Sequence, residues 1–591
     1  MAKQLQYQSL TNIGLNGLNT QANPASLDTS YLTKAENVVI RESGRISLRK
    51  GFKQKVAPNA VAPDGVAIKS IVEHTDGATK KIFASYGTSI YTVDFTSPDA
   101  AFPTGSADTK HTVSSTDGDW QFIEFNSRMT CIHEGVVPQR YDGSLGSGSK
   151  WAAFDNAHRP ATVSSGEFKP SCGTGFYGRM WVGGVEEEKD VLHYSTLLDA
   201  DDFRTTAVNG ASNGGSFDLK NVWGKDDIVA IAPFYGQLAV FGKNNIAIYE
   251  SPDVIGSMKL NEVIRGVGCV ARDSVQHIGD DLVFLSSTGL RSLARTSEKD
   301  KVPLTDLSVN VKDTLIRNIG QSTEVKSAYI ENEGIYVMSF TASNITYVFD
   351  FKHLTPNQAP RITTWTFDLD REPSSITYTD TYGMLIGQKD GSIATYEGYY
   401  DSDLAANGTT YSYASYTGGF ETVWVNLGES VGASLLKRLF MVMEGGSGAN
   451  LALKWYKDFS ATASKTTSIT LNPTTTGSTA LWGASTSLYG ANTAFDYGGV
   501  QYCSIGQHNN QTDCEAAGGT WTTISNTGAV DQPPNATSNP VTYKPVYGLQ
   551  EYRTSLTGSA KNIKISIGVQ SNGFDASLQD LTLLHKQGKI R

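Results

Sequence analysis

The sequence predicts an all-β protein, with a β-propeller-like core of about six or seven blades and a β-sandwich-like C-terminal domain. Composition is the first observation, because 58 Gly, 27 Tyr and 23 Phe beside only 8 Met suit strands and turns. The second is that apolar residues in short segments recur with a period of two and not that of a helix. The third is a repeat of about 50 residues along the chain.

Length and charge limit the classes of protein that remain. A chain of 591 residues is too long for one core, so we expect several domains or one large repeat domain with attachments. Charged residues make up 18% of the chain, which is not typical of disorder. The net charge of −10 argues against tight non-specific binding of nucleic acid, although local basic patches stay open.

The N-terminal residues and the cysteines indicate where the chain is made. The opening residues, MAKQLQYQ, lack the apolar segment that directs export. No apolar run approaches the roughly 18 residues of a membrane span. The cysteines are five, an odd number, and Cys131, Cys172 and Cys269 lie in apolar strand-like runs that suit small buried side chains. We therefore expect cytoplasmic synthesis and no membrane insertion.

Residues 1–60 are predicted to form an N-terminal arm with a β-hairpin. An apolar strand, Val38–Ile40, is followed by a turn that contains Gly44, and then by Ile46 and Leu48 in alternation with polar residues. Four cations lie on or beside this hairpin: Arg41, Arg45, Arg49 and Lys50. They could contact a neighbouring subunit or face DNA.

Residues 61–405 are predicted to form the propeller-like core. Seven segments repeat a pattern of three apolar strands separated by polar or glycine turns, with a period of about 50 residues. The alternative is an irregular β-sandwich whose hairpins only resemble a repeat. The first apolar residues of the seven second strands are Ile82, Met129, Met180, Leu238, Leu282, Ile335 and Met384.

A ladder of tyrosines accompanies this repeat. Six of the seven third strands carry a tyrosine, and each lies 9 to 14 residues after the residue that marks its second strand. Such a ladder could stack sugars or bases, or it could fill the space between sheets. Its regular place in the repeat favours the structural interpretation. The tyrosines are Tyr91, Tyr141, Tyr194, Tyr249, Tyr347 and Tyr396, and Leu293 stands in the fifth repeat.

The C-terminal part is predicted to contain one β domain, residues 406–460 and 541–591, interrupted by an insertion. The insertion, 461–540, is rich in Ser, Thr and Gly and contains Cys503 and Cys514 in a polar loop. The two cysteines could form a disulfide, or they could bind a metal together with His508. Because this spacing matches no established zinc pattern, the disulfide is the favoured hypothesis.

No catalytic residue, metal site or cofactor site is predicted. The acidic run 186–190 could serve acid–base chemistry, but a solvated loop between strands is the favoured interpretation. Neither His133-Glu134 nor His193-Tyr194-Ser195 matches a nucleophile elbow or a metalloprotease motif. The run GVGCVA at 266–271 lacks the third glycine of a dinucleotide-binding loop.

Several segments resemble the tail nozzle proteins, also called tail tubular protein B, of short-tailed bacteriophages of the podovirus type. The resemblance consists of loose patterns spread over most of the chain outside 460–545, and the cysteine loop lies outside it. The matching segments are LNGLNTQANPASLDTSYLTKAENVVIRESGRISLRKGF, QFIEFNSRMTCIHEGVVPQRYDG, GRMWVGG with LHYSTLLDADDF, GVGCVARDSVQHIGDDLVFLSSTGLRSL, ETVWVNLGESVGASLLKRLFMVMEGG and LQDLTLLHKQGKIR.

The resemblance implies a structural virion protein and no enzyme. The resemblance implies a homo-hexameric ring that lies below the ring of the adaptor (upper tail tubular) protein. Such a ring continues and gates the channel for DNA ejection and docks tail fibre proteins. It also implies a location in the virion tail, after synthesis in the host bacterial cytoplasm. In that setting the hairpin cations are expected to contact a neighbouring subunit, because a channel that grips phosphates would slow the passage of genomic DNA.

Two other functions stay open. The chain could be a carbohydrate-binding or carbohydrate-cleaving propeller used in host recognition, which would need exposed aromatic rings and a pocket with converging polar groups. It could also be the DNA-stabilising tail plug of related phages, which shares the architecture and differs mainly in the ring that it follows.

Overall fold

The protein is described from a computed structural model that divides into two compact units. The propeller unit comprises residues 54–396 and 403–412, and the sandwich unit comprises 1–53, 397–402 and 413–591. The structure describes residues 5–587 apart from 42–43, 58–65, 78, 94, 96–109, 114–116, 147, 149, 207–211, 295–305, 322–323, 369–370, 405–410, 428–431, 447, 472–499, 504–520 and 525–548.

The propeller unit consists of small antiparallel sheets in which strands that are consecutive in sequence pair with each other. The first three sheets each have four strands. Sheet 1 contains Ser70–Asp76, Thr79–Tyr86, Ser89–Val93 and Lys110–Thr112; sheet 2 contains Gln121–Phe125, Arg128–His133, Val136–Tyr141 and Trp151–Ala153; sheet 3 contains Cys172–Phe176, Arg179–Gly183, Val191–Tyr194 and Gly215–Asp218.

The remaining sheets follow the same order, so that six sheets have four strands each and sheet 5 has three among the described residues. Sheet 4 contains Ile228–Phe234, Gln237–Gly242, Asn245–Glu250 and Lys259–Arg265; sheet 5 contains Gln276–Ile278, Asp281–Ser286 and Gly289–Ser292; sheet 6 contains Val325–Ile330, Ile335–Phe340, Ile345–Leu354 and Pro360–Trp365; sheet 7 contains Pro373–Thr379, Gly383–Gln388, Ile393–Tyr396 and an outer strand from the N-terminal side.

The outer strand of sheet 7 closes the ring of sheets. Residues 54–56, the part of the strand Phe52–Val56 that belongs to the propeller unit, follow the third strand of this sheet. Gln54 Nε2 donates to Ser392 Oγ at 3.1 Å, and Val56 is fully buried in one apolar cluster with Ile68 of the segment before sheet 1 and Ile393 of sheet 7. The first and last sheets therefore pack together, and the fold is a β-propeller.

The predicted repeat is confirmed strand by strand. Each of the seven residues that marked a second strand lies in the second strand of its sheet, and each is at most 5% exposed. These strands are apolar because both faces of a propeller sheet pack against neighbouring sheets. One apolar cluster, for example, combines Phe241 of sheet 4 with Leu282 and Phe284 of sheet 5.

The sandwich unit contains two larger sheets. Sheet 8 consists of Val38–Ile40, Ile46–Leu48, Ala576–Gln587, Ser434–Gly445 and Leu549–Ser555, with Leu5–Leu10 paired to Ala576–Gln587 and Ser559–Ala560 paired to Ser434–Gly445. Sheet 9 comprises, within this unit, Leu32–Glu36, Thr417–Thr422, Asn562–Gln570, Asn450–Lys457 and Lys465–Thr470, with Val425–Asn426 paired to Asn562–Gln570. Residues alternate between buried and less buried along Asn562–Gln570, as expected for a sheet with one buried face.

The predicted hairpin is confirmed, but the arm is not a separate domain. Val38 pairs with Leu48 and Ile40 with Ile46. The strand Leu5–Leu10 and the hairpin strand Ile46–Leu48 both pair with Ala576–Gln587, so residues 1–53 and the C-terminal residues form one unit. The predicted limit at residue 460 also differs from the structure, because the strand Lys465–Thr470 belongs to sheet 9.

Helices and short strands complete the structure. The helices are Lys220–Trp223 and Lys312–Gln321, with 3-10 turns at Asn156–His158, Ile255–Ser257 and Arg272–Ser274; the short strands are Asp401–Leu404, Tyr411–Ala414 and the pair Val500–Cys503 with Trp521–Ile524. Within the part of the chain that is described, no helix has the length and apolar character needed to cross a bilayer.

Candidate functional site

The candidate site is a network of charged residues in the centre of the propeller unit. The first strands of most neighbouring sheets contact one another, so these strands line the axis of the ring. Most of the charged residues lie in the segments that lead into the first strands. Lys326 is the second residue of the first strand of sheet 6. We call Asp119, Arg272, Asp273 and Lys326 the axial network.

The guanidinium of Arg272 is the hub of this network. Its Nη2 donates to Asp119 Oδ1 at 3.0 Å, its Nη1 to the Ser171 carbonyl at 3.0 Å, and its Nε to Asp273 Oδ1 at 2.7 Å. The Lys326 ammonium donates to Asp119 Oδ1 and to Asp273 Oδ2, both at 2.5 Å. Only 15% of the Arg272 side chain and 8% of the Lys326 side chain are exposed.

The axial network joins sheets that are not neighbours. Asp119 precedes sheet 2, Ser171 precedes sheet 3, Arg272 precedes sheet 5, and Lys326 lies in sheet 6. Sheets 3 and 4 separate sheet 2 from sheet 5 along one side of the ring, and sheets 6, 7 and 1 separate them along the other. The contact between Asp119 and Arg272 therefore crosses the axis of the propeller.

Electrostatics hold Arg272, Asp273 and Lys326 in their charged forms. Burial alone would raise the pKa of Asp273, but the charges of Arg272 and Lys326 outweigh it and keep that pKa below its usual range. Burial alone would lower the pKa of Lys326, but Asp273 and Asp119 raise it above the ordinary value. A buried group of this kind stays charged only with its partners in place.

A second set of charged contacts involves residues just before sheets 1, 2 and 6. Lys69, just before sheet 1, donates to both carboxylate oxygens of Glu324, just before sheet 6, at 3.2 Å. The hydrogen bond from His133 Nε2 to Asp117, with 2.6 Å between the two atoms, lowers the pKa of Asp117. The first contact thus ties the segment before sheet 1 to the segment before sheet 6, and the second holds the segment before sheet 2 against the end of that sheet's second strand.

Sequence analysis missed the axial network, although a signal exists. Aligning the repeats by their first strands places a charged residue within three positions of the strand start in most repeats. These residues are Lys69, Asp119, Asp227, Asp273, Glu324 and Glu372. The repeat thus marks the positions, but their pairing across the ring depends on closure and is not visible in the sequence.

Two of the four hairpin cations pair with carboxylates of the same chain. Arg41 Nη2 donates to Asp575 Oδ2 at 3.0 Å, and Arg45 Nη1 donates to Glu444 Oε2 at 2.5 Å. Both arginines keep about a third or more of their side chain exposed, so a contact with a neighbouring subunit stays a prediction for them and for the half-buried Lys50.

The prediction of a subunit contact is wrong for Arg49, because its side chain is fully buried. Its guanidinium lies 3.3 Å from both carboxylate oxygens of Asp401 and 4.1 Å from the ring centroid of Tyr416, and Nε donates to Asn37 Oδ1 at 3.0 Å. Arg49 therefore ties the end of the hairpin to two later segments of the sandwich unit.

The tyrosine ladder is part of the packing between strands and sheets. Tyr91, Tyr141, Tyr249 and Tyr347 are at most 5% exposed. The hydroxyl of Tyr141 accepts a hydrogen bond from Lys81 of sheet 1 at 2.8 Å, and the Tyr249 ring stacks on Phe217 of sheet 3 with 6.2 Å between centroids. These contacts support the structural interpretation of the ladder.

The other residues considered in the sequence serve local contacts. In the acidic run, Glu188 accepts from Thr162, and its carboxylate lies 3.3 Å from Nε2 of the buried His193. Cys131, Cys172 and Cys269 are free and buried as expected, and burial raises the pKa of the Cys172 thiol to about 12. The proposed disulfide lies outside the described residues at Cys514, and the side chain of Cys503 is likewise not described.

A small cavity of about 260 Å³ lies between sheets 2 and 3. Its charged residues are largely paired: Arg140 with Asp201, and Arg128 with Asp142 at 2.8 Å. Phe154, an aromatic residue of its lining, is only 6% exposed. Among the described residues no group of three or more His, Cys, Asp or Glu could hold a metal ion.

Comparisons with known proteins give low similarities. No family model matches the chain, and no curated protein matches it in sequence. Among solved structures, the WD40 domain of Neurospora crassa Pan2 has 8% identity and a TM-score of 0.38 and covers 61% of this chain and 99% of its own. A streptogramin B lyase has 12% identity and a TM-score of 0.34 and covers 58% and 97%.

Proposed function

We propose that this chain is a structural virion protein: a tail nozzle that forms a ring below the adaptor and portal, continues and gates the channel for DNA ejection, and docks tail fibres. The observation that carries the proposal is the axial network. Propellers and other ring-like folds offer ligands a concave site with a few converging polar groups. Here the charged groups of the described centre neutralise one another across the axis.

A propeller whose sheets are tied together across its axis suits a rigid building block. The channel of the proposed nozzle then runs between copies of the chain and not through one propeller. Each copy carries a net charge of −10, so a ring of six carries about −60, and like charges keep a DNA duplex from adhering to the wall. The resemblance of the hairpin segment and of segments in sheets 2, 3 and 5 to tail nozzle proteins supports the same function.

Electron cryomicroscopy of phage particles, together with mass measurement of the purified chain with and without its adaptor protein, tests the proposal. We expect a six-fold ring of about 380 kDa, six times the 63.7 kDa chain, at the tail below the adaptor. A monomer under both conditions that binds host polysaccharide would contradict it and favour the carbohydrate-binding alternative.

A further inference from the structure

One surface of the sandwich unit combines one exposed and two half-buried aromatic rings with lysines. It lies on the outer face of sheet 9, where Tyr456 faces Lys564 across neighbouring strands and Lys454 faces Ser566. The residues between them, Leu453 and Trp455, are fully buried on the opposite face. We call Trp424, Tyr456, Phe459, Lys454, Lys457, Lys561 and Lys564 the aromatic–lysine face.

The rings of this face are arranged around one ammonium group. Lys564 Nζ lies 4.6 Å from the ring centroid of Tyr456 and 5.7 Å from that of Trp424. The Trp424 and Phe459 centroids are 5.0 Å apart, with an angle of 56° between the rings. Phe459 is 55% exposed, so an apolar ring is presented to solvent beside a cation.

The turn that presents Phe459 has an unfavourable backbone. Asp458 and Phe459 have φ values of 49° and 63°, in the left-handed region that non-glycine residues adopt infrequently. Asp458 Oδ1 accepts from the backbone N–H groups of Lys561 and Asn562 at 2.7 and 3.0 Å, which holds the turn in place. The structure thus fixes an exposed aromatic residue in a costly conformation.

The charge of the face is positive although the chain is acidic. Lys564 pairs with Glu421 at 2.7 Å. For three other lysines the described residues include no carboxylate within ion-pair distance, and Lys454 and Lys561 are exposed. The three are Lys454, Lys457 and Lys561. Unpaired ammonium groups beside open aromatic rings complement a polyanion that carries planar groups.

We propose that the aromatic–lysine face binds DNA, with phosphates on the lysines and bases on the rings. The inference rests on the proposed function only for the source of the DNA, the phage genome. It confines the contact to one local basic patch on a chain whose net charge is −10. Stacking on Trp424 and Phe459 does not depend on sequence, because every base has an aromatic face.

Anisotropy of labelled DNA, measured with the full chain, tests the inference. The probes are a single strand and a duplex of about 20 nucleotides, at about 50 and 200 mM salt. The variant is Lys454→Glu/Lys561→Glu. The matched control, Lys225→Glu/Lys259→Glu, makes the same charge change on exposed lysines of the propeller unit. We expect at least about a tenfold loss of affinity in the variant and less than about twofold in the control.

Further variants separate the contribution of base stacking to DNA affinity from that of charge, and thermal unfolding shows whether a loss of affinity arises from misfolding. Phe459→Ser should weaken the single strand more than the duplex, because unpaired bases can stack on the ring. Lys454→Gln/Lys561→Gln should show a smaller loss in the same direction. Thermal unfolding midpoints equal to that of the parent chain show that both variants fold.

The outcomes distinguish this inference from the proposed function. Equal losses in the variant and the control, or no DNA binding by the parent chain, would overturn the inference even if the same sample forms six-fold rings. Binding of vesicles of anionic phospholipid, with no binding of DNA, would assign the face to a membrane surface and also overturn it. If the chain binds DNA through this face but never forms rings, the DNA-binding inference would be supported and the proposed nozzle function would be contradicted.

Discussion

His74 shows how one buried side chain makes the propeller sensitive to pH. Its ring is fully buried between sheets 1 and 2, with centroids 5.8 Å from Phe83 and 5.9 Å from Tyr141. Burial lowers the pKa of His74; Glu124 and Asp76 act in the opposite direction, Lys81 in the same direction, and the net change is downward. The neutral ring is therefore the form that fits the folded protein.

We expect the propeller to lose stability as the pH falls below about 6.5, the ordinary histidine pKa. Above that pH the neutral His74 contributes its full share to the free energy of unfolding. Below it the unfolded chain binds a proton that the folded chain does not bind, so the free energy of unfolding falls by up to about 1.4 kcal/mol per pH unit. Calorimetric unfolding between about pH 5 and 8 measures the slope. His74→Phe should flatten it, and a slope unchanged from that of the parent chain would contradict the assignment.

At the scale of elements, the burial of Arg49 shows that the opening hairpin is part of the core of the sandwich unit and not a separate arm. The hairpin pairs with the last strand through Ile46 and Leu578, and the buried Arg49 joins it to Asp401 and Tyr416. This explains why a ribbon rich in cations belongs inside the sandwich unit: its least accessible cation is a structural link.

Arg49→Met should destabilise the sandwich unit by about 3 kcal/mol, because it leaves the Asp401 carboxylate buried without its cation. Lys34→Met is the matched control: Lys34 pairs with Glu36 at 2.8 Å but is 53% exposed, so we expect less than about 1 kcal/mol. The unfolding midpoint of this unit, followed by calorimetry, is the measurement. An unchanged midpoint in the Arg49 variant would show that the link contributes nothing.

The strands were predictable from the sequence, whereas their distant partners were not. Alternation and turn residues mark local hairpins such as Val38–Leu48, and the period marks each sheet. The pairing of Leu5–Leu10 with residues 581–586 and the approach of Asp119 to Arg272 depend on chain closure over hundreds of residues. No local pattern encodes such a contact, so sequence reasoning placed the hairpin cations on a surface and missed the axial network.

At the scale of the whole molecule, the axial network makes the propeller one mechanical body. Its members lie in or just before sheets 2, 5 and 6. Loss of one ion pair should therefore destabilise the packing of sheets that are not neighbours in the ring. Neighbouring sheets are in addition held together by their facing apolar clusters. This rigidity is what the proposed ring of several copies would require.

A double-mutant cycle across the axis tests this coupling. Asp119→Asn and Lys326→Met should each destabilise the propeller, and we expect a coupling free energy of about 1–2 kcal/mol, since Lys326 is buried but Asp119 is partly exposed. The pair Asp227→Asn and Lys243→Met is the control: those side chains are 33% and 59% exposed, so we expect about 0.5 kcal/mol or less. A coupling no larger than in the control would show that the pair is incidental.

The pairing of the first described strand with the last has a consequence for biosynthesis. Leu5–Leu10 is translated before the other described strands, and its partner, Ala576–Gln587, follows more than 560 residues later. Synthesis of the intervening chain takes roughly half a minute or longer. Propeller closure needs only residues up to about 396, so that unit can complete while translation continues. Premature termination after residue 460 should therefore release a finished ring of blades attached to an N-terminal segment that has never met its partner.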